Sequence, residues 1–163
     1  MLVVSDTTPL NYLILIGSEE VLSSIYGAGL VPSQVVDELM HDDTPELVRS
    51  WAKDLPAWIH VIEGDVSVFP PLDPGEAAAL ALAIELHADA LLADDMEARL
   101  KARSLGIVTI GTVGILAAAH EASLLDFDAA IEALLGTSFR ISDSVISAVR
   151  NTIPSLILDQ VKS

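Results

Sequence analysis

The chain has 163 residues, 52 % of them hydrophobic, no cysteine, and a formal net charge of −16 from 24 acidic and 8 basic side chains. The missing cysteines exclude disulfides, thiolate metal sites and a cysteine nucleophile. The acid excess argues against a broad polyanion-binding surface, because phosphate contacts need Lys and Arg, and it keeps an apolar chain in solution.

This length favours one compact domain, expected over residues 1–153, with a tail over 154–163 that begins where Pro154 ends the ordered pattern. Apolar runs are broken by charge well before the ~18 residues a membrane span needs, so no span is expected. The opening MLVVSD lacks the basic segment of a signal peptide and reads as a first strand, which makes the cytoplasm the expected location.

Taken in order, LVVSD is a short β-branched strand stopped by Asp6 and Thr7. Thr7 or Thr8 is expected to cap a helix with Pro9 in its first turn, carrying Leu10, Leu13 and Ile14. Ser18 is the expected cap of a second helix ending near Gly27. A short strand at Leu30-Val31 precedes a helix opened by Pro32 and Ser33. Thr44 and Pro45 mark another helix start. AWIHVIE alternates as a strand does, and GDVSVFPPLD is the longest loop. Asp73-Pro74-Gly75-Glu76 opens a helix running to about Leu86. ADALLA is a buried strand, DDMEARLKARSLG a helix closed by Gly106, and IVTIG a short strand. Helices at TVGILAAAHEA and near 126–135 and 143–151 complete the pattern. Strands alternating with helices predict an α/β fold, a three-layer α/β/α sandwich around a central parallel sheet.

Four acids fall where strands end or helices begin: Asp6, Glu38, Glu76 and Asp94, the last with Asp95 beside it. In a doubly wound sheet those ends share one crevice, the usual place for a site. Each acid also has a purely structural reading. Asp6 can cap the helix after it. Glu38 lies at the edge of the stripe of Val35, Val36 and Leu39, while Asp37, about 100° round the helix, points elsewhere. Glu76 completes a capping box with Asp73. One of Asp94 and Asp95 caps the next helix and leaves the other free. Carboxylates gathered from distant segments repel one another unless a cation sits among them, and oxygen-only ligands suit Mg²⁺ or Mn²⁺. Thr7, Thr8 and Asn11 could orient such a carboxylate. The four histidines have no paired spacing that suggests zinc.

The segments SDTTPLNYL, VPSQVVDEL, LDPGEAAALALA, ADALLADDMEARLKARSLGI and GTVGILAAA, in this order and spacing, resemble the PIN-like nucleases, and within them the short prokaryotic proteins related to the VapC toxins. The resemblance covers about residues 2–150. It implies a small α/β/α domain in which acids hold one or two divalent metals for hydrolysis of RNA. By position the quartet would be Asp6, Glu38, Glu76 and Asp94, with Asp94 or Asp95 open as the fourth acid. The toxin pattern usually has Asp where this chain has Glu76. The resemblance further implies a homodimer, through the apolar helices near 10–26, and an antitoxin whose basic segment would suit the acidic cleft. Arg99 and Arg103, at i, i+4 spacing, are the candidate RNA contacts, against intrahelical pairing such as Asp95 with Arg99. Arg49 and Lys53 form a second such pair. So few bases also fit a degenerate member that binds a partner without cleaving. A phosphatase of the haloacid-dehalogenase type would want Asp at position 8, where Thr stands. A metal-binding adhesion motif is interrupted by Pro9.

Overall fold

The computed structural model describes residues 1–64 and 72–156. Among them are five strands, β1 (Val3–Ser5), β2 (Gly29–Pro32), β3 (Ile59–Ile62), β4 (Ala90–Leu92) and β5 (Thr109–Ile110). All pair in parallel, in the order β3-β2-β1-β4-β5. The fold is α/β with a parallel sheet, as the alternation of elements predicts. β1 and β4 are buried at every position, which explains their continuous apolar runs. From β1 the chain winds outward through β2 and β3, then returns to the other side of β1 with β4 and β5. The strand order therefore reverses between β1 and β4, and their carboxyl ends are where a sheet of this topology places its crevice.

The described helices are α1 (Thr7–Leu15), α2 (Val21–Tyr26), α3 (Ser33–Leu39), α4 (Glu46–Lys53), α5 (Pro74–Glu85), α6 (Met96–Ser104), α7 (Thr112–Glu121), α8 (Phe127–Leu135) and α9 (Asp143–Arg150). The chain divides into two compact units, Met1–Thr112 and Val113–Ser163. No shift in composition marks that boundary, which is why the sequence reads as continuous. The first unit holds the whole sheet. Its core packs Val4 and Leu91 with Ala77, Leu80, Ala83, Ala93 and Ala102. α5 is buried on most sides, and its alanines let its backbone approach the sheet closely.

Gly64, just after β3, shows how tight this packing is. A Cβ there would lie 2.8 Å from the Ala78 Cβ and 3.2 Å from the Pro32 Cβ. Overpacking against such rigid neighbours costs about 1–3 kcal/mol. Gly64→Ala is expected to lower the melting temperature by about 5 °C, at 2–4 °C per kcal/mol for a chain of this size. Thermal unfolding followed by circular dichroism checks this.

In the second unit α7 is followed by α8 and α9. Asp126 caps α8 by accepting the Ala129 N–H at 2.9 Å, and His120 Nδ1 accepts the Phe127 N–H at 3.0 Å. His120 thus has a structural role in the α7–α8 turn. Arg150 pairs with Asp128 at 3.0 Å.

Several helix ends differ from the sequence reading. Asp6, not Thr7 or Thr8, occupies the cap position of α1, and Glu20, not Ser18, that of α2. Thr44 does not cap α4. Its hydroxyl donates to the Glu38 carbonyl at 2.8 Å and closes the end of α3, leaving Pro45 at the α4 cap. Ile153 and Leu156, on either side of Pro154, are buried. The expected loop over 64–73 and tail over 154–163 lie largely outside the described residues.

Candidate active site

Asp6 extends the β1–β4 ladder into the crevice, its N–H donating to the Leu92 carbonyl at 2.9 Å. The residue is 3 % exposed. It stands at the α1 cap position in extended conformation, yet its side chain makes no cap hydrogen bond. Its Oδ1 is buried with no hydrogen-bond partner. The structural reading of Asp6 as a helix cap therefore fails. Burying an unpaired carboxylate oxygen is costly, so an oxygen left this way in a crevice calls for a ligand or a proton. Burial pushes the Asp6 carboxyl up to about 8; the Thr7 backbone N–H offsets part of this, and Glu76, Asp73 and Glu38 add to it.

Glu38 comes from the half-buried edge of α3, while Asp37 is exposed, so the helix separates them as its geometry requires. The Glu38 carboxylate is held from two distant segments. Oε2 accepts from the Thr7 hydroxyl, and Oε1 accepts the Gly75 N–H at 2.9 Å. Gly75 lies in the first turn of α5, where free N–H groups point at anions. Burial raises the Glu38 pKa, Thr7 opposes the rise and Asp73 adds to it.

The capping box of α5 forms as expected. Asp73 Oδ1 accepts the Glu76 N–H at 2.8 Å, and Glu76 Oε2 accepts the Asp73 N–H at 3.2 Å. The structural and functional readings of Glu76 coincide, because the cap itself sets the carboxylate beside the crevice. Burial lifts Glu76 to about 7, with Asp73 and Asp95 adding repulsion. Glu76→Gln keeps a side chain able to complete the capping box. It is expected to leave the melting temperature at pH 4.5 within about 2 °C while cutting cleavage of RNA at least about 10-fold. Paired melting and cleavage assays check this.

Asp73 is a member of the cluster that sequence reading takes only as a cap. Its charge acts on Asp6, Glu38 and Glu76 together. The signal was present, since a capping box brings its two side chains together and one of them was already a candidate.

Asp94 and Asp95 part company. Asp95 caps α6, accepting the Ala98 N–H at 2.9 Å, and its charge reaches Glu76. Asp94 turns to Thr112, accepting its N–H at 2.8 Å and its hydroxyl at 2.5 Å. Burial raises the Asp94 pKa, and the Thr112 hydroxyl and N–H and the Arg99 charge lower it. Arg99 does not pair with Asp95. Its guanidinium donates to the Ala93 carbonyl at 2.9 Å and faces Asp94. Arg103 is exposed and donates to the Thr109 hydroxyl at 3.2 Å. Thr8 and Asn11 are half-buried on α1, and among the three supporting residues it is Thr7 that bonds a site carboxylate.

The cluster thus gathers Asp6, Glu38, Asp73 and Glu76, with Asp95 at its rim. All donors are oxygen, Asp6 Oδ1 is unsatisfied, and the neighbouring carboxylates add to the raised pKa of Asp6, Glu38 and Glu76. This donor chemistry fits Mg²⁺ or Mn²⁺. Among the described residues no three acidic or histidine side chains stand within range of one common ion. Holding one would therefore require side-chain rotation toward Asp6.

No match is found among curated proteins. One solved structure similar to the chain is a PilT N-terminus domain protein from the hyperthermophilic archaeon Sulfolobus solfataricus P2. It has 18 % identity and a TM-score of 0.47, over 87 % of this chain and 100 % of that one. The family model described as DUF3368, PIN domain, matches residues 2–154 and so takes in the parallel sheet and every acid of the crevice. By that match the chain belongs to the PIN domain family.

Proposed function

We propose that this protein is a divalent-metal-dependent ribonuclease that hydrolyses RNA phosphodiester bonds. The PIN domain is a nuclease-type fold, and its members typically use divalent metals. The observation that carries the reading is the Asp6 carboxyl, buried at the strand-order reversal with its Oδ1 unpartnered and Glu38, Asp73 and Glu76 around it.

Asp6, Glu38 and Glu76 would hold the Mg²⁺ or Mn²⁺. Bound there, such an ion acidifies a coordinated water and stabilises charge developing on the phosphate. The chain's own residues prepare the place. Thr7 and the Gly75 N–H aim the Glu38 carboxylate from opposite sides. The Asp73–Glu76 box fixes the first turn of α5. Burial raises the pKa of all three carboxyls, which disfavours their charged forms where no cation lies among them.

The acidic surface suits a basic antitoxin segment, which fits the toxin of a toxin–antitoxin pair. A homodimer through α1 and α2 and a cytoplasmic location complete the reading. No described helix is long and apolar enough to cross a membrane. A second reading, a partner-binding PIN protein without cleavage, is favoured by one observation: Arg99 and Arg103 bond within their own unit.

Cleavage of labelled single-stranded RNA with Mn²⁺ or Mg²⁺, comparing wild type with Asp6→Asn, separates the two. Metal-dependent cutting that disappears in the folded variant supports the nuclease. Absence of cutting by wild type across several RNAs and both metals favours the binding module.

A further inference from the structure

Thr44 stands apart in the turn between α3 and α4. Residues 41–43 and 45–47 are exposed, and Thr44 between them is half-buried. Its hydroxyl donates to the Glu38 carbonyl at 2.8 Å, six positions back along the chain. Its own carbonyl accepts from Arg49 Nε at 2.9 Å. Arg49 follows Val48, which is fully buried, on a helix that packs against α1 and α3. Thr44 is therefore fixed from α4 and reaches from there to the end of α3.

The place it reaches is the weakest part of α3. That helix has 7 residues, and the last carbonyls of any helix lack an intrahelical partner. Short helices fray from their ends. Glu38 is the last residue but one. Its carboxylate is held at Oε2 by the Thr7 hydroxyl and at Oε1 by the Gly75 N–H at 2.9 Å. Those two bonds fix where the side chain ends and leave its root free. A frayed last turn would draw the carboxylate off both. The Glu38 carbonyl also accepts the His41 N–H, but at 3.2 Å and from an exposed residue. The Thr44 hydroxyl is the shorter hold.

We infer that Thr44 is a positioning residue for Glu38: its hydroxyl, held in place through Arg49, pins the last turn of α3 and so sets the carboxylate between Thr7 and Gly75. This rests on the carboxylate-centre reading and assigns a role within it. Side chains that orient a metal ligand without touching the ion change affinity by about 10–100-fold when lost. Thr44 acts through the backbone of Glu38 while two side-chain bonds remain, so its loss should weaken binding by less, about 5-fold.

The test is calorimetric titration of the whole chain with Mn²⁺ at neutral pH, with melting temperatures recorded in parallel. Thr44→Val keeps the shape and removes the hydroxyl. It should weaken Mn²⁺ binding about 5-fold and lower the melting temperature by about 3 °C. Thr44→Ser keeps the hydroxyl and should bind as wild type does. Asp126→Ala is the stability control: it removes the cap of α8 in the second unit. It should lower the melting temperature by a similar amount and leave Mn²⁺ affinity unchanged.

Unchanged affinity in Thr44→Val, with a lowered melting temperature alone, would overturn the assignment and leave Thr44 a helix-end contact. Equal weakening in Thr44→Val and Thr44→Ser would overturn it too, since the hydroxyl would not be the cause. So would equal weakening in Asp126→Ala, because lost stability would then account for the effect. Each of these leaves the carboxylate centre standing, provided Asp6→Asn loses the ion. A wild type that binds no Mn²⁺ overturns the centre and the assignment together.

Discussion

Asp6→Asn is expected to stabilise the metal-free protein at pH 8 while removing its cleavage of RNA. The two effects share one cause. In the folded chain the Asp6 carboxyl is held up to about 8 by burial and by three neighbouring acids, against an ordinary value of 3.8. The unfolded chain releases this proton near pH 4, whereas the folded chain keeps it until about pH 8. Between those limits the native state binds more protons, so raising the pH favours unfolding. Below pH 4 both states are protonated and Asp6 contributes no pH dependence. The loss of stability builds from about pH 4 and is complete above about pH 8. Glu76, lifted to about 7 from 4.5, adds a smaller loss of the same sign over its own window.

Asparagine carries no charge at any pH and removes the Asp6 part of this loss. One pKa unit corresponds to about 1.4 kcal/mol, so the gain at pH 8 is on the order of several kcal/mol. That predicts a melting temperature higher by at least about 5 °C, with the difference closing as the pH falls toward 4. Millimolar Mn²⁺ should raise the melting temperature of wild type and leave the variant unmoved, since ligand binding stabilises only a state that binds. Cleavage should fall at least about 100-fold, as expected when a ligand of a catalytic ion is lost. Melting curves from pH 4 to 8, with and without Mn²⁺, give the whole pattern. A variant that melts below wild type at pH 8 would mean that Asp6 is satisfied in a way this structure does not show.

Gly75→Ala is expected to remove activity without removing a charge or unfolding the chain. An alanine Cβ would lie 2.5 Å from Glu38 Oε2 and 2.6 Å from Oε1. No other atom is as close, and Glu38 is the far end of a flexible side chain, so the carboxylate moves and the backbone does not. Displacement breaks the hold of the Gly75 N–H on Oε1 and pulls Oε2 from Thr7. Alanine is the better helix former by about 1 kcal/mol, which offsets the lost hydrogen bond. The melting temperature should therefore stay within about 3 °C. Cleavage should fall about 100-fold, because a carboxylate moved by about an ångström no longer meets the others. If Gly75→Ala cleaves as wild type does, Glu38 is not part of the centre. Gly75→Ser, which carries the same Cβ, should reproduce the loss.

The element pattern was legible in the residues, because helices and strands follow from periodicity and from caps that act within a few positions. The parallel sheet followed from strands alternating with helices, and the Asp73–Glu76 capping box formed as the spacing of those two residues requires. The sequence also placed acids at the ends of β1 and β4 and at the start of α5. It could not say where each carboxylate points. Asp6 looks like a cap in the sequence and is a buried group with an unpartnered Oδ1 in the fold, because the burial comes from segments that meet it only in three dimensions. The hold on Glu38 spans 31 positions to Thr7 and 37 to Gly75. The turning of Asp94 to Thr112 spans 18. Contacts of that reach leave no local pattern, and a cap and a metal ligand are the same residue type at the same position. The sequence by itself determined which acids end the strands and open the helices of this sheet. Only the packing of β1, β4 and α5 decided which of them lose their water and their hydrogen-bond partners, and so which are left to bind.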